Sequence, residues 1–253
     1  MILSKREDKT LNVKVVGTHT IEAIIKNTPE RALLLSLLNK NNRLEKLKQA
    51  ALKANIKINF VSSKKMKILY KEEIIHQGAL LTCKAFKYVN FNKQLEKKTN
   101  LVIILDGIQD SRNLGRASRS ALCFKVDLIV IPKNRSAEVN IAAEKAAVGA
   151  LSQIPITKVA NLTQSINILK EKGFFIVGAE AGSKLRCYKY KFGEKVALVF
   201  GGENSGIRQI VKKNCDEMIN IPMKNKNLNL NAADSVAIIL YEISRQRYYN
   251  EKK

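Results

Sequence analysis

The chain has 253 residues, and 45 Lys and Arg against 22 Asp and Glu give it a formal charge of +23. That length is generous for one domain and comfortable for two with separate cores, and so basic a chain points to a polyanionic partner, nucleic acid first. No apolar run approaches the roughly 18 residues of a membrane span, which excludes a membrane protein of the helical kind.

The amino terminus, Met1 to Asp8, shows no signal-peptide core and carries acids that a transit peptide avoids. The cysteines Cys83, Cys123, Cys187 and Cys215 are far apart with no C-x-x-C pair, and read as reduced thiols of a cytoplasmic protein. His19 and His76 are the only histidines, so a structural zinc site is not expected. The basic excess is mostly lysine beside many Ile and Asn residues, a bias that an AT-rich genome also produces.

In chain order, Val13-Lys14-Val15-Val16-Gly17 predicts a strand, and Ile21, Ile24 and Ile25 share one face of a following helix. Residues 33–38 fit strand or helix equally by periodicity. A helix is expected over 44–54, an alternating strand over 56–61, and a further strand entered through His76-Gln77-Gly78. These elements make a small α/β/α domain, residues 12–88. Residues 89–99 lack a sustained period and are rich in Asn, Lys and Gln, so they are assigned to a linker.

From residue 100 to 253 apolar runs recur at 101–105, 126–131, 154–159, 174–179, 196–200 and 217–221, most of them separated by helical stretches. Continuous apolar strands alternating with helices predict a mostly parallel sheet covered on both faces. A long last helix begins near Ala232. Its apolar residues Val236, Ile239 and Leu240 exceed what one domain should need and suggest a second subunit.

Three of the strand ends carry polar turns, where an open α/β sheet binds its ligand. After the first run comes Asp110-Ser111-Arg112-Asn113-Leu114-Gly115-Arg116-Ala117-Ser118-Arg119. Asn113 sits where the chain turns, and the planar fork of Arg119 suits a phosphate. After the fifth run, Gly201-Gly202-Glu203-Asn204-Ser205-Gly206 lets backbone approach a ligand and sets one carboxylate beside it. The last turn runs from Ile221-Pro222-Met223 through Asn227 to Leu230-Asn231. Taken singly, each motif also fits an ordinary capped turn. Nucleophile elbows, paired acids for two metals, Walker A loops and G-x-G-x-x-G fingerprints are all missing.

In that order the three motifs resemble the signatures of the SpoU (SPOUT-class) family of RNA ribose 2′-O-methyltransferases. The early Val16-Gly17-x-His19 and late His76-Gln77-Gly78 are similar to the RNA-binding module preceding the catalytic domain in the branch of bacterial 23S rRNA guanosine 2′-O-methyltransferases. The resemblance implies a carboxyl-terminal domain with a trefoil knot, a homodimer, and S-adenosylmethionine as methyl donor without a metal. It places Gly201, Ile221 and Leu230 at cofactor-binding positions and Asn113, Arg119, Glu203 and Asn231 at catalytic and substrate positions. Because a guanidinium is a poor base at neutral pH, Arg119 is assigned to clamping phosphate and stabilising the forming alkoxide; the proton acceptor stays open. Asn229 and Ala233 stand where the family usually has serine, so a hydroxyl's role does not transfer there. A tRNA ribose methyltransferase and a non-catalytic RNA-binding or ribosome-assembly protein on the same fold are the alternatives.

Overall fold

The computed structural model describes residues 12–39, 42–69, 77–203, 205–225 and 228–250. His76, Asn204, Asn227 and the stretch Met1 to Asp8 lie outside the described residues. The chain forms two compact units that divide between Lys87 and Tyr88.

The first unit contains β1 (Asn12–Val16), α1 (Thr18–Asn27), β2 (Ala32–Leu38), α2 (Glu45–Lys53), β3 (Lys57–Val61), α3 (Ser63–Leu69) and β4 (Ala79–Lys84). Its sheet order is β1-β4-β2-β3, with β2 and β3 parallel and the other pairs antiparallel. Side chains alternate as the pleat demands. Val15, Leu35, Leu37 and Leu81 bury against α1 and α2, whereas Val16, Val61 and Leu80 bury with Met66 of α3. Residues 33–38, ambiguous by period, are strand because β2 is central and covered on both faces.

The second unit opens with α4 (Phe91–Leu95), then β5 (Leu101–Asp106), α5 (Ser111–Cys123), β6 (Leu128–Pro132), α6 (Ile141–Ala147), β7 (Ile156–Val159), α7 (Leu162–Glu171) and β8 (Phe175–Ala179). It closes with β9 (Leu185–Arg186), β10 (Val196–Gly201), α8 (Gln209–Lys212), β11 (Glu217–Asn220) and α9 (Ala232–Asn250). The strand order is β7-β6-β5-β10-β8-β11-β9, and every pairing is parallel. The chain thus builds outward from β5 to β7, returns for β8, and only later inserts β10 between β5 and β8. That insertion puts the end of β10 between the ends of two earlier strands.

Residues 89–99, expected as linker, pack onto the second unit instead. The Asn90 side chain caps α4 by accepting from the Lys93 N–H, and Phe91 and Leu95, four apart on one face, join the core with Val102 and Ile104. The Val89 N–H donates to the Ile156 carbonyl at 2.9 Å. With two anchoring residues in five, the segment carries too few apolar positions for periodicity to reveal it.

The apolar face of α9 is also accounted for inside one chain. Val236, Ile239 and Leu240 are each 0% exposed, with α9 packed against α5 and β10. Their burial removes the reason drawn from them for a second subunit; Ile238, Tyr241 and Tyr248 are the exposed large hydrophobics of α9. Among the described residues no helix is long and apolar enough to cross a membrane.

A chain beginning at Tyr88 should therefore be more stable than one beginning at Asn100. Loss of the buried Phe91 and Leu95 should cost about 3 kcal/mol or more, read as an earlier urea midpoint. Equal midpoints would show that α4 contributes nothing to the second unit.

Candidate active site

A cavity of about 230 Å³ opens at the carboxyl ends of β8, β10 and β11. Gly201, Ile221 and Leu230, the three residues singled out for cofactor binding, all line it. Phe200, Ile221, Met223 and Leu230 supply apolar wall, while Glu180 and Glu203 supply its charged groups. Among the described lining residues there is no lysine or arginine, although the chain carries +23. A phosphate-rich ligand would meet repulsion there. A ligand with an apolar, flat part and a positive charge fits.

The glycines shape this cavity by letting backbones meet. A Cβ on Gly201 would lie 2.0 Å from the Gly206 carbonyl carbon and 2.3 Å from the Ile207 nitrogen. One on Gly202 would lie 2.4 Å from the Gly107 carbonyl oxygen. The Gly206 N–H donates to the Gly202 carbonyl at 3.0 Å, and Gly206 adopts φ +60°, so the loop doubles back tightly over the end of β10. Beneath it, buried Asp106 at the end of β5 accepts from the Arg208 backbone N–H at 3.0 Å and its Nε at 2.7 Å. The Asp106 carbonyl accepts from the Gly202 N–H at 2.9 Å. One residue of β5 thereby anchors both ends of the β10 loop.

Asn113, Glu203 and Asn231 come together from three turns. Asn113 donates through Nδ2 to the Glu203 carboxylate, and its Oδ1 accepts from Asn231 Nδ2 at 3.1 Å. The sequence left Asn113 open as a helix cap. The cap is Asp110, whose side chain accepts from the Arg112 N–H at 2.8 Å, so the buried Asn113 amide is available for the cross-turn bonds. Asn231 combines two tasks, since its Oδ1 also accepts from the Ala233 N–H at 2.9 Å at the head of α9.

Arg119 does not join this group. It is exposed on α5, six residues beyond Asn113, which is about 9 Å along the axis and on another face. Among the described residues it has no hydrogen bond or ion pair. Arg112 and Arg116 are exposed as well, but each is engaged: Arg112 with Asp110, and Arg116 with Asp234 at 2.7 Å. Gly115 serves packing, because a Cβ there would lie 2.4 Å from the Ala143 carbonyl oxygen of α6.

Two lining residues were not legible in the sequence. Glu180 follows β8 and pairs with Lys212, and Ser235 lies one turn into α9. Neither sits in a conspicuous motif; Gly182 just after Glu180 is the only local hint. Asn229, at the first position of departure, lines the cavity too, whereas Ala233 is buried. Burial pushes the Cys215 thiol up to about 11 and that of Cys187 upward, so both stay protonated near neutral pH. Among the described residues no group of three or more His, Cys, Asp and Glu is gathered in a way that would hold a metal ion.

The chain matches the model of the SpoU rRNA Methylase family over residues 100–241 and that of RNA 2′-O ribose methyltransferase substrate binding over 14–89. It is 32% identical over 243 residues to the 23S rRNA (guanosine-2′-O-)-methyltransferase RlmB of Blochmanniella floridana, covering 93% of this chain and 95% of that protein. It is 34% identical over 244 residues to a Staphylococcus saprophyticus protein whose name places it with TrmH family tRNA/rRNA methyltransferases, covering 94% and 97%. In fold it resembles the SpoU methyltransferase AviRb from Streptomyces viridochromogenes, solved in complex with AdoMet. That match has a TM-score of 0.79 at 17% identity, over 94% of this chain and 91% of that one.

The bonds of Asn113 make a pH test. Asn113→Asp sets a second carboxylate against Glu203, and two like charges that close raise the pKa of the pair in the folded state. The protein should melt well below wild type at pH 8, where both are ionised. The gap should narrow as pH falls toward roughly 4, where one protonates and again donates. A gap that is the same at both pH values would show that the two side chains do not interact.

Proposed function

The chain belongs to the SpoU family of rRNA methylases, and from that premise we propose that it transfers a methyl group from S-adenosylmethionine to a ribose 2′-hydroxyl of RNA, a guanosine of 23S rRNA being the favoured target. The observation that carries the reading is the apolar, acid-bearing cavity at the ends of β8, β10 and β11. Its chemistry fits a cationic adenosine-like molecule, because the flat apolar part meets Ile221, Met223 and Leu230 and the positive charge meets Glu203, whereas Glu180 is paired with Lys212. Bound there, S-adenosylmethionine supplies a methyl group activated by its sulfonium.

The chain's own residues do the rest. Gly201, Ile221 and Leu230 hold the donor largely through backbone, beside the close return of Gly206 onto Gly202. Asn113, itself held by Asn231, fixes the Glu203 carboxylate, so that it need not reorganise when substrate arrives. Arg119, exposed and unengaged among the described residues, binds a phosphate of the RNA and stabilises negative charge developing on the ribose oxygen. Holding the reacting groups in line is worth up to about 7–11 kcal/mol.

Residues 12–87 form the RNA-gripping unit in this reading, supported by the match to a substrate-binding family over 14–89. The methyltransferase unit is residues 88–253, with 89–99 inside it. The trefoil knot belongs to the same proposal, supported by the motif resemblance and by the late entry of β10 between β5 and β8. So does a homodimer, for which the exposed Ile238 and the Tyr241–Phe124 ring pair offer apolar surface. The cytoplasm is the proposed site of action, consistent with free cysteines throughout.

Calorimetry should find S-adenosylmethionine binding in the wild type and none in Gly201→Val, whose side chain would displace the loop 206–207. Ribose-methylation mapping of rRNA and tRNA from a deletion strain should show one guanosine of 23S rRNA unmethylated. Undiminished affinity in the variant would move the donor site elsewhere, and a loss confined to tRNA would favour the tRNA reading.

Arg119→Ala should lose about 10²-fold or more in turnover, the size of losing one preorganised donor. Donor affinity should hardly change, since Arg119 is absent from the cavity wall. Arg119→Lys should not restore the rate, because a point charge cannot replace a planar fork; near-wild-type turnover in it would leave Arg119 only a general basic contact.

A further inference from the structure

The opposite edge of the second unit's sheet carries a second feature. At the amino ends of β5, β8 and β10 a cleft of about 250 Å³ is lined by Leu95, Thr99 and Asn100, by Phe174, and by Lys97, Lys98, Lys172 and Lys195. No acid lines it. All four lysines are exposed, and among the described residues none has an ion pair. Elsewhere in the same unit Lys158, Lys170 and Lys212 are each matched to a carboxylate, while Lys125, Lys133, Lys145 and Lys213 are exposed without an ion pair among the described residues but do not line this concavity.

We propose that this cleft is a second RNA contact, binding a phosphate of the substrate's ribose-phosphate backbone on the edge of the sheet away from the methyl-transfer cavity. The inference rests on the reading of the substrate as RNA. Convergence of four cations on one concavity costs repulsion, and an anion between them relieves it. Lys195 gives one of its three N–H groups to the Lys172 carbonyl at 3.1 Å and lies 5.8 Å from the centre of the Phe174 ring, which holds its ammonium at the rim. Two donors of Lys195 remain, as do all three of Lys97, Lys98 and Lys172.

Competing charges are close but directed elsewhere. Glu194 accepts from Asn100 Nδ2 at 3.2 Å, and Asp127 accepts from the Asn100 and Leu101 N–H groups at 2.8 and 2.9 Å. Glu96 and Glu171 are exposed outside the lining. The carboxyl end of α7 adds a partial negative charge of about half a unit, which four lysines outweigh. Phe174 is buried, so no base can stack on it, and the cleft carries no sequence preference.

The position limits the kind of RNA that benefits. Lys195 and Gly201 are six residues apart on an extended strand, about 20 Å. An RNA that reaches both edges must be folded and broad, so a short hairpin holding only the target nucleotide gains little from the cleft.

The test uses the full chain with Lys97→Gln, Lys98→Gln, Lys172→Gln and Lys195→Gln combined. A control changes Lys125, Lys133, Lys145 and Lys213, exposed lysines outside the cleft, to Gln. Affinity for a long domain-sized rRNA fragment and for a short hairpin is measured from 50 to 300 mM salt, with S-adenosylmethionine affinity and methyl transfer alongside. The cleft variant should bind the long fragment at least about tenfold more weakly at the lower salt. Its log–log salt slope should fall by roughly 0.7–0.9 for each RNA phosphate that the cleft ceases to neutralise. Hairpin binding and donor affinity should stay at wild-type values, and the control should weaken clearly less. Equal weakening in the cleft and control variants, or unchanged binding of the long fragment, would overturn the proposal. A wild-type protein that binds and methylates neither RNA would overturn the functional reading instead.

Discussion

The arrangement at the strand ends depends on the side chain of Asn113. It donates an amide hydrogen to Glu203 after β10 and its oxygen accepts from Asn231 before α9, and so joins three turns, the first of which is ninety or more residues from the other two in sequence. Each partner alone is a loop group that solvent would satisfy. Together in a partly buried setting they exclude alternative loop positions, because an orphaned amide at 6% exposure costs about 1–3 kcal/mol. Asp106 makes the complementary link below, from β5 to Gly202 and Arg208. The cavity is preorganised from two directions by groups that do not depend on its ligand.

Charge is sorted within the second unit. The cavity wall presents Glu203 and the Lys212-paired Glu180 and no cation among its described lining residues, whereas the cleft at the strands' amino ends is lined by four lysines and, among the described residues, no acid. In the proposed reading the acids of the cavity suit a cationic methyl donor, while the lysines of the cleft stand clear of that site. The sequence total of +23 conceals that division, since a net charge is a sum without positions.

Packing inside one chain changed the meaning of two segments. Val236, Ile239 and Leu240 looked surplus because the last helix was considered without neighbours; α5 and β10 cover them. Residues 89–99 looked like linker because two anchoring side chains do not make a period, yet Phe91 and Leu95 find the core with Val102, Ile104 and Val159. Both cases follow from burial being a property of surroundings, not of composition.

From the sequence alone, the six long strands of the second unit and the alternation of the first were legible, because hydrophobic periodicity is local. The three polar turns were legible as well, and three of the four residues assigned to chemistry, Asn113, Glu203 and Asn231, meet as a group. Tertiary structure alone decided that β10 enters between β5 and β8, that Asp110 and not Asn113 caps α5, and that Glu180 and Ser235 join the cavity. It also set Arg119 about 9 Å along α5 from Asn113, outside the bonded group. A two-residue strand such as β9 leaves no periodic trace. Strand order, helix partners and the choice among neighbouring polar residues are fixed by contacts between distant parts of the chain, and no local pattern encodes which distant part will arrive.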